Sequence, residues 1–216
     1  MSTAKVDRRV AHSHHFDSME QEHESGKQGV WLFMATEIMM FGGLFVGYFI
    51  YRMKYPEAWV EGGSLLSWKL GALNTLVLLF SSFTMAQAVT ETMKGENKKA
   101  LNLVMITTLC AFAFMVVKYF EYSGKIHHGL FPGLDIWDPS AVQNEGTRLF
   151  LLFYFLMTGL HGFHILVGVG LMFWLMKRLK NDEFSPKYYT AVEGVGLYWH
   201  IVDIIWIYLF PLMYLI

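Results

Sequence analysis

The residues best suited to chemistry lie inside strongly apolar segments. Near the C-terminus, the stretch YWHIVDIIWIYLFPLMYLI places His200 and Asp203 three positions apart among aliphatic and aromatic residues. Upstream, TGLHGFHILVGVG places His161 and His164 at the same spacing. Imidazoles and carboxylates can bind a metal, relay protons or hydrogen-bond to one another. Their burial among apolar residues therefore marks the first candidate functional site.

Four further ionisable residues lie in or next to apolar segments: Glu37, Lys118, Glu121 and Glu193. On a helix, positions 193, 200 and 203 face one way, and positions 161 and 164 also share a face. We therefore predict a buried polar seam between two consecutive antiparallel helices. Its members are His161, His164, Glu193, His200 and Asp203. Lys118 and Glu121 form a second polar group, near the end of another helix.

Three functions compete for these residues. His161 or His164 together with His200 could bind haem axially, and the two adjacent histidines with Asp203 could hold a metal. Alternatively, Glu37, Glu193, Asp203 and the histidines could form a proton or ion pathway. In the third interpretation the polar groups pair with one another in an accessory subunit, which is the commonest case for scattered buried polar residues.

The composition requires these residues to be held by membrane helices. The 216 residues are 54% hydrophobic and only 16% charged, whereas soluble domains carry about 25% charged residues. Five apolar runs approach or exceed the roughly 20 residues that a helix needs to cross a bilayer. We therefore predict an all-α integral membrane bundle of five transmembrane helices. A soluble protein with five such buried helices is excluded, because the runs nearly exhaust the chain.

The predicted helices span residues 27–51, 67–92, 98–122, 147–176 and 188–215. Residues 52–67 read as a polar loop, and the Gly, Pro and Asp content of residues 123–146 predicts a connection without a helix. Residues 1–26 are predicted to form a disordered polar tail, and residues 27–216 the transmembrane domain. The tail contains His12, His14, His15 and His23. These residues read either as a loose metal-binding tract or, as we expect, as part of that tail.

The basic residues predict the orientation. With the N-terminus in the cytoplasm, 11 Lys and Arg residues lie inside and 5 lie outside, and Lys118 is left near a boundary. We therefore expect a cytoplasmic N-terminus and an external C-terminus. The only cysteine, Cys110, excludes a disulfide within the chain. The net charge of -1 gives no indication of nucleic-acid binding.

Several stretches occur in the order and spacing of one known family. They are GVWLFMATEIMMFGGLF, LNTLVLLFSS, FEYSGKI, TGLHGFHILVG and VEGVGLYWHIVDIIWIYLFPLMYL. From about residue 27 to the C-terminus the chain resembles cytochrome c oxidase subunit III of the haem–copper oxidases. The H-G-x-H and Y-W-H-x-V-D-x-x-W blocks are specific when they occur together. The chain is similar to the short bacterial form with five helices, which lacks two N-terminal helices of longer members.

The resemblance implies a non-catalytic subunit in a bacterial cytoplasmic membrane. Such a subunit has no catalytic residue and no metal ligand, because haem and copper reside in the partner subunits. It packs directly on subunit I, joins a complex that contains subunit II and can enter a larger respiratory supercomplex. It binds phospholipid and supports proton uptake and durable turnover. The equivalent subunit of a quinol oxidase is the alternative, and the HHGLFPG loop favours the cytochrome c type.

The resemblance also assigns residues. Glu37 matches the carboxylate of the family that reacts with carbodiimides. His161, His164, Glu193, His200 and Asp203 match its buried polar positions. Lys177, Arg178 and Lys180 are candidate contacts for lipid head groups. The absent helices form one wall of the lipid cleft in longer members, so we expect another subunit to supply that wall.

Overall fold

The computed structural model describes residues 19–131, 144–186 and 188–216, and this part of the chain is helical without a named strand. The helices are α1 (Met19–Lys54), α2 (Pro56–Ser64), α3 (Trp68–Met93), α4 (Asn97–His127), α5 (Glu145–Lys180) and α6 (Thr190–Tyr214). All but α2 are long and apolar enough to cross a membrane. The predicted all-α bundle of five membrane helices is confirmed.

The observed helix ends differ from the predicted ones most at the start of α1 and the end of α4. α1 begins at Met19 instead of residue 27, so eight described residues that we assigned to the tail belong to a helix. α4 continues to His127, five residues beyond its predicted end, through a segment predicted to be non-helical. Hydropathy locates the part of a helix that lies in lipid, whereas helix-forming residues such as Glu, Gln and Lys extend it into water. His12, His14 and His15 lie outside the described residues.

The second correction concerns residues 52–67, which hold a short helix instead of an open polar loop. Pro56 occupies the first turn of α2, where its missing N–H costs nothing, and Glu57 complements the helix dipole there. Trp59 is fully buried against Tyr48 and Phe150. α2 therefore closes one end of the bundle. That end also holds the last turn of α4, the start of α5 and the C-terminus.

The opposite end, which we call the basic end, holds the turns between α3 and α4 and between α5 and α6. Lys94, Lys98, Lys99, Lys177 and Lys180 are exposed there. Inside the bundle, α3 and α4 pack closely as an antiparallel pair, and α6 contacts α1, α3 and α5. α1 packs mainly on α6 and is the least buried of the five membrane helices. α6 is therefore the helix on which the others assemble.

Glycine permits the close approach of α5 and α6. A Cβ atom built on Gly168 would lie 2.7 Å from the Trp199 ring and 3.2 Å from Tyr198. Trp199 is fully buried, so its ring has no free space to move into. The Tyr198 hydroxyl also donates a hydrogen bond of 2.8 Å to the carbonyl oxygen of His164. This contact between the two helices therefore needs a residue without a side chain at position 168.

We expect Gly168→Ala to lower the free energy of unfolding by about 1–3 kcal/mol, because it overpacks a filled interface. Gly170→Ala on the same helix is the matched control, since a Cβ there meets no atom within 4 Å. The measurement is the midpoint of thermal unfolding in detergent. Equal midpoints for both variants would contradict the close packing described here.

Candidate functional site

Glu37 and His164 form a close pair between α1 and α5. The distance from Glu37 Oε2 to His164 Nε2 is 2.8 Å. Both side chains are shielded, with 14% of the Glu37 side chain and 10% of the His164 side chain exposed. The carboxyl oxygen has no directed hydrogen bond among the described residues. The two side chains are therefore in direct contact across the α1–α5 interface.

The second nitrogen of His164 restricts how the pair is protonated. His164 Nδ1 lies 2.8 Å from the carbonyl oxygen of Leu160, which can only accept, so Nδ1 carries a proton. Nε2 is therefore the nitrogen that faces the Glu37 carboxyl group.

The residues of the predicted polar seam lie in separate helix contacts. Glu193 is 3.6 Å from Lys27 Nζ, at the basic end between α6 and α1. His164 pairs with Glu37, as described above. His200 Nδ1 lies 2.7 Å from the Ser82 hydroxyl, between α6 and α3. The described contacts therefore pair members of the predicted seam with residues outside it.

Asp203 and His161 are buried without hydrogen-bond partners among the described residues. Asp203 is 2% exposed and lies beside Ser81 and Ser82, yet neither of its carboxyl oxygens forms a hydrogen bond. His161 is 1% exposed and both of its ring nitrogens are unpaired. Its ring packs between Phe114 and Trp206, with centroid distances of 5.5 and 5.2 Å. Buried polar groups are nearly always paired, so the lack of a partner distinguishes these two side chains from the other buried ionisable residues described above.

The described histidines are not arranged for a metal. His161, His164 and His200 turn towards two aromatic rings, a glutamate and a serine, respectively. Within the described ranges, no group of three or more His, Cys, Asp or Glu residues could hold a metal ion. The geometry instead favours pairing of these polar groups within the bundle.

The most extensive polar cluster is built around Lys118 in α4. Its Nζ lies 3.0 Å from Glu121 Oε2 and also donates to the Tyr214 hydroxyl. That hydroxyl lies 2.8 Å from Glu121 Oε1, so the three groups form a closed network. Lys118 is 7% exposed and Glu121 is 6% exposed. The network joins α4 to the last turn of α6.

Aromatic rings enclose the Lys118 ammonium group. Its Nζ lies 4.7 Å from the Trp206 ring centroid, 5.1 Å from Tyr214, 5.3 Å from Tyr154 and 5.7 Å from Tyr122. The negative faces of aromatic rings attract a cation, and desolvation strengthens this attraction. The rings therefore replace part of the hydration that the buried ammonium group loses.

Lys125 adds a second buried cation that the sequence analysis missed. It is 8% exposed, and its Nζ lies 3.2 Å from the Leu65 carbonyl oxygen and 5.5 Å from the Tyr154 ring. Its spacing from Lys118 and Glu121, seven and four residues, places all three on one helix face and could have indicated it. No comparable signal in the sequence pointed to Tyr214.

At the basic end, the three candidate head-group residues differ. Lys177 and Lys180 are exposed, whereas the Arg178 guanidinium is held 2.8 Å from Glu183 Oε2. Hydrogen bonds from Arg178 and Asn181 lower the pKa of Glu183, which lies in the turn beyond α5. Arg178 also stacks over the rings of Phe184 and Trp174. Lys177 and Lys180 are thus the freer cations for a lipid phosphate.

An apolar cavity of about 780 Å³ opens between α1, α5 and α6 at this end. Its lining includes Phe33, Val167, Leu171, Trp174 and Tyr198. Its size and apolar lining suit hydrocarbon, and Lys177 lies on the helix that supplies Trp174. A second cavity, of about 550 Å³, lies between α4 and α5 beside Lys118 and Thr158.

The fold and these contacts define a multi-pass membrane protein with buried ionisable residues, several of which make contacts between helices. The sequence profile of cytochrome c oxidase subunit III matches residues 10–134 and 137–216. The chain therefore belongs to the cytochrome c oxidase subunit III family.

Individual relatives carry two kinds of name. The chain is similar to "Quinol oxidase subunit 3" of Bacillus spizizenii, with 28% identity over 95% of this chain and 97% of the relative. It is 32% identical to "Cytochrome c oxidase subunit 3" of Synechocystis, over 87% of this chain and 74% of the relative. It is 29% identical to "Heme-copper oxidase subunit I+III" of Aeropyrum pernix, over 88% of this chain and 22% of the relative. That fused relative carries subunits I and III in one chain.

Proposed function

We propose that this chain is a non-catalytic accessory subunit of a respiratory haem–copper oxygen reductase and packs directly on subunit I. The observation that carries the proposal is the family match over nearly the whole chain. The fused relative supports contact with subunit I, because fusion keeps the two parts together in the membrane. The pairing of Glu37, Glu193 and Lys118 with residues of the same chain supports a structural role. In this proposal, haem and copper belong to the partner subunits.

The experiment that tests this function is purification of the native complex through a tag on this chain. Subunit I and its haem should co-purify, and a complex prepared without this chain should retain its haem and its initial rate of oxygen consumption. The shorter complex should lose activity sooner during turnover. Recovery of this chain without any oxidase subunit would overturn the proposal.

The bound ligand in this proposal is phospholipid, held in the cavity between α1, α5 and α6. Phe33, Leu171 and Trp174 supply the apolar lining, and Lys177 and Lys180 lie near enough in sequence to reach the head-group region. The volume of about 780 Å³ and the apolar lining are suited to an acyl chain. In this arrangement, subunit I or another subunit supplies the wall that two further helices provide in longer members.

Glu37 serves in this proposal as a structural anchor and as the carboxyl group that a lipid-soluble carbodiimide modifies. The alternative is a place on a proton route. The pairing of Glu37 with His164 of the same chain supports the structural role, because an anchor needs only this contact between two helices. Support of proton uptake then follows indirectly, through stable packing against the subunit that carries the proton routes.

For the electron donor we propose cytochrome c, with quinol as the alternative. Relatives of both kinds match over most of the chain, so the electron donor has to be determined from the properties of subunit II. A copper site in the co-purified subunit II would support cytochrome c. A subunit II without copper, together with quinol-dependent oxygen consumption, would establish the alternative.

The proposed location is a bacterial cytoplasmic membrane, with the basic end inside, as the 11-to-5 ratio of basic residues indicates. We expect a cysteine at Glu61 in α2 to react with an impermeant maleimide in intact cells. A cysteine at Asn181, in the turn at the basic end, should react only after disruption. Cys110 is replaced by Ser in both variants. The reverse pattern of labelling would invert the topology.

A further inference from the structure

His200 places a polar ring at the surface of the bundle near the centre of the membrane. It lies two residues from the midpoint of α6 (Thr190–Tyr214), which is about 3 Å along the axis. Its partner Ser82 is equally close to the midpoint of α3 (Trp68–Met93). His161 and Asp203 are almost completely buried, whereas His200 is partly exposed. His200 therefore faces whatever surrounds α3 and α6.

The hydroxyl of Ser82 indicates which nitrogen of His200 faces outward. Every other serine and threonine of α3 donates to a carbonyl oxygen of its own helix: Thr75, Ser81, Thr84, Thr90 and Thr92. Ser82 has only His200 Nδ1 as a partner among the described residues. The Asp203 carboxyl group also lies beside Ser82, but neither of its oxygens is in hydrogen-bond geometry, so the Ser82 hydroxyl donates to His200 Nδ1. His200 Nε2 then carries the proton and presents an N–H group outward.

Hydrocarbon cannot accept a hydrogen bond from this N–H group. A polar group at the membrane centre is costly unless protein or water pairs with it. The surface around His200 is otherwise apolar, with Leu79 46% exposed and Ile204 49% exposed. A single donor in the middle of an apolar surface is complementary to an apolar helix that carries one acceptor at the same depth.

We propose that the face formed by Leu79, Ser82, His200, Ile204 and Ile207 is the docking surface for a transmembrane helix of subunit I. That helix carries a hydrogen-bond acceptor at mid-membrane depth, which receives the His200 Nε2–H. The inference rests on the proposed function and specifies which face of the chain makes the contact. The fused relative favours subunit I over other subunits, because it joins those two parts covalently.

A second copy of this chain fits the face less well. In a symmetric dimer centred on this surface, the two His200 rings would approach each other and present donor to donor. Lipid lacks an acceptor at this depth, because its ester groups lie at the interface. Both occupants remain outcomes that the experiment below can identify.

The test uses the native complex with a photo-crosslinking amino acid placed at Ile204 or, as a matched control, at Leu109. Both positions are exposed and lie near the midpoints of their helices, but Leu109 is on α4. We expect position 204 to crosslink to subunit I and position 109 to crosslink to lipid. Crosslinking of position 204 only to lipid, or to a second copy of this chain, would overturn the inference. Such a result would leave the proposed function intact if subunit I still co-purified.

A second measurement examines the outward N–H group directly. The amide nitrogen of a glutamine occupies about the position of Nε2, so His200→Gln should retain subunit III in the complex during detergent washing. His200→Leu should reduce the ratio of subunit III to subunit I at least fivefold under the same wash. Ser82→Ala removes the inward bond and should retain the subunit. Equal loss in His200→Gln and His200→Leu, or equal retention in both, would contradict the role of the donor.

Discussion

Replacing Glu121 by Gln is expected to destabilise the protein by about 3–5 kcal/mol, because two buried lysines then lose the carboxylate that lies beside them in the described part of the chain. Lys118 is 7% exposed and Lys125 is 8% exposed, so neither ammonium group can recover its hydration without opening the bundle. The aromatic rings around Lys118 offset part of the cost, but they cannot neutralise the charge. The measurement is the free energy of unfolding, from denaturant titration in detergent.

Two further variants separate the charge effect from the loss of packing. The double variant Lys118→Met with Glu121→Gln removes both charges of the pair and should be more stable than Glu121→Gln alone. Glu96→Gln is the matched control, since Glu96 also pairs with a lysine three residues away, Lys99, at 3.9 Å with both side chains exposed. We expect no measurable change there, because water screens that pair. Additive losses in the double variant would refute the account.

Glu37→Ala is expected to shorten the active life of the oxidase about tenfold while leaving its initial rate nearly unchanged. The variant leaves His164 Nε2 unpaired near the membrane centre, and a buried unpaired group costs about 1–3 kcal/mol. A loss of 1.4 kcal/mol corresponds to about a factor of ten in the population of an opened, inactivating state. The measurement is the decay of oxygen consumption during continuous turnover.

Glu37→Gln is the matched control, because an amide donates to Nε2 as a neutral acid does. We expect this variant to keep nearly the wild-type lifetime and proton pumping, although it can no longer react with a carbodiimide. If Glu37→Gln abolished pumping while subunit I and its metals stayed normal, Glu37 would belong to a proton route and the anchor proposal would be wrong.

The sequence predicts the five membrane helices because hydropathy and length alone determine which segments enter lipid. It misses α2, where Pro56, Gly62 and Gly63 suggest a loop, since the helix depends on the burial of Trp59 by other segments. It also ends α4 too early, at residue 122. That helix continues through Gly124 to His127, where hydropathy no longer distinguishes a helix from a loop.

For the candidate site, the sequence predicted contacts between residues of one helix, but it did not predict which residues meet across helices. Spacing places Lys118 and Glu121 on one helix turn, and the structure pairs them at 3.0 Å. Spacing also predicted that His161, His164 and the polar residues of α6 would meet. The partners of the seam residues depend instead on helix rotation and tilt, which bring Glu37 to His164 and Ser82 to His200. The rotation of each helix about its axis is determined by contacts such as the one at Gly168. The spacing of polar residues along the sequence does not predict this rotation.

The packing of α1 on α6 has a consequence for synthesis, because α1 leaves the ribosome well before α6 does. Tyr48 of α1 donates to the Leu212 carbonyl oxygen, and Lys27 pairs with Glu193. About 160 residues separate the end of α1 from the end of α6. At roughly 5–20 residues per second, α1 waits about 8–32 s in the bilayer for its partner.

During this interval α1 stands in lipid with the carboxyl group of Glu37 still unmatched, since His164 also emerges later. Until α6 emerges, α3, α4 and α5 are inserted while α1 still lacks its main partner. Emergence of α6 supplies that partner and seats α1.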